Sequence, residues 1–252
     1  MIEHWNSVEF LSVWALIFAQ LGSAAIVLPG IGERFVPLRV RLAVALALSI
    51  PMTWLDVVQG TPSEMRGWMI AILSESLTGV VLGVAVRFFL IGLQVAGSIA
   101  AQSTSLAQVF GGQSVEPLPA IGHLLTFAGL ALLMSNGFAV RLVGTFVESY
   151  RIVAFGGRFS PSGMADWGLS LVVWIFEAGF VLASPFLLIS VLYNLTLGFI
   201  NKAMPQLMVI FVGAPVITFL SLVILAVGLP MLLAVWQEGV FEFLAFPAGQ
   251  PK

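Results

Sequence analysis

The chain has 252 residues, of which 60% are hydrophobic and 9% charged, where a water-soluble domain carries roughly 25% charged residues. Its 10 Lys and Arg and 12 Asp and Glu are too few to cover the surface of a globule of this size, so apolar surface must face lipid or other apolar chains, and a soluble fold is excluded. A net charge of −2 offers no basic face to nucleic acid, and the lack of cysteine removes disulfides, thiolate metal sites and thiol nucleophiles together.

The N-terminus opens with Glu3 and Glu9 and no Lys or Arg, the reverse of a secretory signal. Phe10 to Gly32 is an uncharged run of 23 residues, long enough to cross a bilayer as a helix and expected to be retained as one. With charges taken as punctuation, further apolar blocks lie at about 42–55, 67–86, 88–110, 119–140, 167–200 and 203–237. All exceed the ten-residue alternating segments of a membrane β-barrel, and in hydrocarbon a helix satisfies its own backbone. The expected fold is an all-α membrane protein, one domain over residues 1–252, built from long, partly broken helices and helical hairpins. The last block carries Pro205, Pro215 and Pro230 and reads as two helices, one kinked helix or a hairpin. Arg34, Arg39 and Arg41 in one connection, and Arg141, Arg151 and Arg158 in another, point to the cytoplasmic side. One crossing per block then puts the N-terminus outside and the C-terminus inside.

Charges within apolar blocks mark functional candidates. Glu75, Arg87 and Glu177 qualify. Glu75 and Arg87 are twelve residues apart, about 18 Å along a helix, so they do not pair within one. They could pair across to other helices or to another subunit, while their plainer reading puts Arg87 in a turn at the membrane surface and Glu75 near a helix end. Glu177 has no Lys or Arg nearby and suits either a hydrogen bond to a neighbouring helix or a proton relay. His123 has no ligand partner at helical spacing, so it reads as an interfacial histidine. No nucleotide cradle, metal set or catalytic constellation is found, and no cofactor is expected. Gly79 and Gly83, four apart, with Gly92 and Gly97 beyond, allow helix backbones to come close.

The segment Gln102 to Pro119 (QSTSLAQVFGGQSVEPLP) stands apart. It is too polar for lipid and too apolar for open water, and paired glycines free its backbone at the centre, which suits a loop lining or closing a cavity.

Three motifs carry a family resemblance over nearly the whole chain. LPGIGERFVPLRVRLAVALALSIP holds Pro29, Gly32, Pro37, Arg39, Val40, Arg41 and Pro51. ESLTGVVLGVAVR followed by LQVAG holds Glu75, Gly79, Gly83, Gln94 and Gly97. NKAMPQLMVIFVGAP holds Asn201, Pro205, Gln206, Val209, Gly213 and Pro215. The chain resembles the FliR family, the export-gate membrane proteins of the bacterial flagellar type III secretion system and their injectisome relatives. It departs from the family's Asp-Pro after the apolar part of the middle loop, with Phe110-Gly111-Gly112 and then Glu116-Pro117.

The resemblance implies a non-enzymatic subunit of a protein-export channel in the bacterial inner membrane at the flagellar basal body, displaced towards the periplasm in the assembled complex. Its implied partners are FliP-like and FliQ-like subunits, other export apparatus proteins, unfolded secreted substrates and lipid. The energy source would be separate: an ATPase and a proton-driven export protein. The middle loop would act as a plug, with Leu106, Val109 and Phe110 filling the pore and Gly111 and Gly112 letting the loop swing aside. Injectisome use remains open. A small-solute or proton transporter built on Glu75, Arg87 and Glu177 is a rival that lacks the inverted repeat many transporters show.

Overall fold

The computed structural model describes residues 7–55, 62–109, 120–152, 161–204 and 209–248, with side chains left out at 104–109, 120, 161 and 209–214. Seven α-helices, and no strand, are found among the described residues: α1 (Ser7–Val27), α2 (Leu38–Thr53), α3 (Met65–Val109), α4 (Ala120–Ser135), α5 (Phe138–Ile152), α6 (Pro161–Ala203) and α7 (Val209–Ala245). This is the all-α architecture expected of the composition. Four helices (α1, α3, α6, α7) have the length and apolarity to cross a membrane, and α4 with α5 forms a further candidate pair bent by 78°.

Helix boundaries correct the reading of charges as punctuation. Arg87 lies inside α3, so the blocks 67–86 and 88–110 are one helix of 45 residues and the count of one crossing per block does not hold. At 1.5 Å per residue that helix is about 68 Å long, over twice the roughly 30 Å of bilayer hydrocarbon. Arg39 and Arg41 belong to the first turn of α2, and Arg141 and Arg151 to α5, not to connections. Block 119–140 breaks at Asn136-Gly137, where Gly137 takes a φ of 80° that a side chain would resist. The last block resolves to one helix, α7, with Pro215 and Pro230 inside it; Pro205 lies outside the described residues.

Proline is also tolerated inside α6. Pro185 cannot donate to the carbonyl of Val181, and Ser184 Oγ donates to that oxygen instead, at 2.7 Å.

The chain divides into two compact units, one of residues 1–89, 134–172 and 239–252, the other of 90–133 and 173–238. In the first, α1 and α2 form an antiparallel hairpin. Trp14 Nε1 donates to Ser49 Oγ at 3.0 Å, and Phe10 meets Trp54 edge-on with ring centroids 6.0 Å apart. The N-terminal part of α3 runs alongside α1 in the same direction, Gly79 against Gln20 and Ser23, Gly83 against Ala24 and Val27. A Cβ at Gly79 would overlap the Gln20 carbonyl and Ser23 Oγ, whereas one at Gly83 would meet its nearest atom at 3.1 Å. The C-terminal turns of α7 close this unit. Thr145 Oγ1 donates to the Leu244 carbonyl at 2.8 Å, Trp167 Nε1 to that of Pro247 at 2.8 Å, and Phe243 packs on Phe89 at 5.0 Å.

In the second unit the same device recurs. A Cβ at Gly97 of α3 would overlap the backbone of Gly122 in α4, and Gly179 of α6 lies against Val95 and the Gly92 carbonyl.

Gly79→Val is expected to lower stability by about 1–3 kcal/mol through forced separation of α1 and α3. Gly144→Ala, with nothing within 4 Å of the added carbon, is expected to be neutral. Thermal unfolding of the two variants in detergent, followed by tryptophan fluorescence, checks the difference.

Candidate functional site

The first motif builds a clasp at the end of α1. After Val27 the chain turns back on itself. Gly30 takes a φ of 81°, and the Gly32 N–H donates to the Leu28 carbonyl at 2.6 Å. A Cβ at Gly32 would press on the carbonyls of Ile26 and Leu28, so the turn accepts only glycine there. Pro29 is buried within it. Pro37 enters α2 with φ −59° and ψ 145°, and its carbonyl accepts from the N–H groups of Val40 and Arg41. Arg41 then reaches back: its Nη2 donates to the Glu33 carbonyl at 2.7 Å and its Nε to that of Val36 at 3.2 Å. One guanidinium fork thus satisfies two carbonyls of the turn. Arg39, in the same motif, is exposed with no such contact among the described residues.

Arg87 joins this clasp from α3. Its Nη1 donates to the Val27 carbonyl at 3.1 Å, one of the oxygens left open at the end of α1, and its Nη2 stands 3.7 Å from Glu33 Oε1. Arg87 is therefore in mid-helix, and its charge is answered by a helix end and a carboxylate rather than by a surface turn.

Glu75 is also away from a helix end. It is the eleventh residue of α3 and is 4% exposed. Around it the core of the first unit is polar. Gln20, fully buried in α1, donates from Nε2 to Ser149 Oγ of α5 at 2.9 Å, and Ser149 donates on to the Phe146 carbonyl at 2.7 Å. The Tyr150 hydroxyl, buried, faces the Glu75 carboxylate without completing a hydrogen bond of good geometry. The sequence reading missed Gln20 and Ser149, although a lone amide inside the apolar run of α1 was the available signal: such a group is hydrogen-bonded when buried.

In the second unit, α3 is tied to α6 at the start of the segment singled out at 102–119. Ser190 Oγ donates to the Ser103 carbonyl at 2.6 Å, and Asn194 Nδ2 reaches the Ser190 carbonyl at 2.8 Å. Both serines are buried. Residues 102–109, read as the start of a loop, continue α3 as helix. Leu106 and Val109 thus lie on its last turns, with side chains outside the described residues, and Phe110, Gly111 and Gly112 lie outside them altogether. Of the third motif, Asn201 is exposed near the end of α6, Gly213 and Pro215 lie in the first turns of α7, and Pro205 and Gln206 fall outside the described residues.

Glu177 is exposed on α6 and has no hydrogen bond or ion pair among the described residues, so a bond to a neighbouring helix of its own chain is not found. His123 is exposed too, and no cluster of metal-ligating side chains occurs among the described residues. The structure thus joins Arg41 and Arg87 at one clasp and sets Glu75 in a polar core, both in the first unit, while Glu177 belongs to the second. Replacing Arg41 by Ala is expected to cost the 28–37 turn about 1–3 kcal/mol and to speed its cleavage by thermolysin. Arg39→Ala should leave the cleavage rate unchanged.

Residues 11–243 match the family described as bacterial export proteins, family 1. Similar curated proteins include three named flagellar biosynthetic protein FliR. That of Caulobacter vibrioides is 31% identical over 241 residues, covering 92% of this chain and 94% of the relative. The Aquifex aeolicus protein is 26% identical over 90% of this chain and 89% of its own length, and the Escherichia coli protein 25% identical over 95% and 92%. The family match takes in the clasp, the glycine contacts and the polar core alike, and with a relative above 30% identity at nearly full length it places this chain in the FliR family of bacterial export proteins.

Proposed function

We propose that the chain is a non-enzymatic, membrane-embedded subunit of the bacterial flagellar protein-export apparatus, forming part of the channel wall and closing it with the segment at about 102–119. The family match over residues 11–243 carries this reading, and the flagellar names of the relatives favour the flagellum over an injectisome.

The helices support an assembled state. The apolar stretches of α6 and α7 are buried within the chain to about half the extent of that of α3. Large apolar faces are therefore left for lipid or other subunits. FliP-like and FliQ-like export-gate subunits are the partners proposed for them, with unfolded export substrates in the channel. Helices α3 and α6, of 45 and 43 residues, overreach the bilayer, in keeping with a complex at the basal body that stands partly beyond the inner membrane on its periplasmic side.

The gate is proposed on chemistry. Leu106, Val109 and Phe110 exclude water and ions from a narrow pore, and Gly111 and Gly112 supply backbone freedom for displacement. The bond from Ser190 to the Ser103 carbonyl anchors the helix that leads into this segment, so movement begins after Ser103. Deleting residues 106–112 is expected to raise ion leakage through the assembled complex, measured as membrane conductance in cells. An unchanged conductance would remove the plug. Gly111→Val together with Gly112→Val is expected to reduce secretion of export substrates while the complex still assembles, and normal secretion would remove the hinge.

A further inference from the structure

The outer face of α6 poses a problem that the described residues do not solve. Exposed apolar side chains run along it from Leu169 through Val173, Phe176, Phe180 and Leu188 to Phe199. Thirty residues of helix separate the first from the last, about 45 Å, half as long again as the roughly 30 Å hydrocarbon of a bilayer. Glu177 is exposed within that stripe, flanked by ten uncharged residues (167–176) and then by 24 more (178–201). Wherever a bilayer is laid against α6, either the carboxylate enters hydrocarbon or one end of the stripe emerges into water, and both are unfavourable.

We propose that this face docks an apolar helix of a different membrane subunit, which presents one Lys or Arg to Glu177. The inference deepens the assembly reading above and rests on it. A partner helix covers the stripe beyond the reach of lipid, and a cation on it compensates the one charge in a contact that is otherwise apolar. A second copy of this chain on the same face does not fit, because it would set carboxylate against carboxylate. The helix surface is shaped for close approach: Gly198, two turns beyond Val191, has nothing within 4 Å of where a Cβ would stand, so a neighbouring backbone can come near.

The test uses the full chain co-expressed with the other membrane subunits of the export apparatus and extracted in mild detergent. Glu177→Lys is expected to reduce the recovered complex about tenfold or more, and a Lys or Arg→Glu change on the partner helix is expected to restore it. Because the natural chain has no cysteine, Val181→Cys, one turn from Glu177 and exposed, should cross-link to a single cysteine on the partner helix and not to another copy of itself. This second variant keeps Glu177 and decides the matter even where Glu177→Lys fails to fold. Full recovery of complex with Glu177→Lys, cross-linking of Val181→Cys only to itself, or no cross-link within an intact complex would each overturn the inference while leaving the assembly reading intact. A natural chain that associates with none of the subunits would instead remove the assembly reading, and the inference with it.

Discussion

Close backbone contact between helices, made available by glycine, is the constraint from which the rest of this structure follows. Apolar side chains gain little by leaving lipid for one another, so helices in such surroundings associate through van der Waals contact and polar bonds at short range. Gly79 and Gly83 bring α3 against α1, and Gly97 brings it against Gly122 of α4. A helix of 45 residues thereby contributes close contacts within each unit of the chain.

Once backbones are that close, polar groups decide register. Gln20 on α1 and Ser149 on α5 find each other in the first unit, and Ser190 on α6 finds the Ser103 carbonyl in the second. The arginines follow the same logic at the end of α1 and in the turn after it, where carbonyls lack intrahelical partners. Arg87 takes the Val27 oxygen and Arg41 takes those of Glu33 and Val36. Arg87, a charge that looks costly in a hydropathy reading, is thus answered by backbone. Glu177 is the contrast: it is exposed on an apolar face of α6, without a partner among the described residues.

Much of the site was legible as residue types, less so as partners. Glycines four apart announced a close helix contact because small residues at that spacing let backbones approach, and the structure supplies α1 as the neighbour. Arg87 was visible as an anomaly, yet reading it as a turn failed. A helix continues through a charge when the guanidinium can reach a helix end 60 positions earlier in the chain, and no local pattern displays that reach. The segment at 102–119 was marked by its mixed composition, but its first eight residues belong to α3, since Ser, Gln and Ala are compatible with a helix already under way.

The amino-acid sequence alone determined that this is an all-helical membrane protein of the FliR family, because apolar run length, backbone hydrogen bonding in hydrocarbon and motif identity are local properties of the chain. Only the tertiary structure decided which backbone carbonyls Arg41 and Arg87 hold, that Glu75 is enclosed and faces Tyr150, and that Glu177 faces outward. Those outcomes depend on which surfaces meet across tens of residues. Contacts of that kind arise when whole helices pack, and a linear pattern of residue types does not contain them.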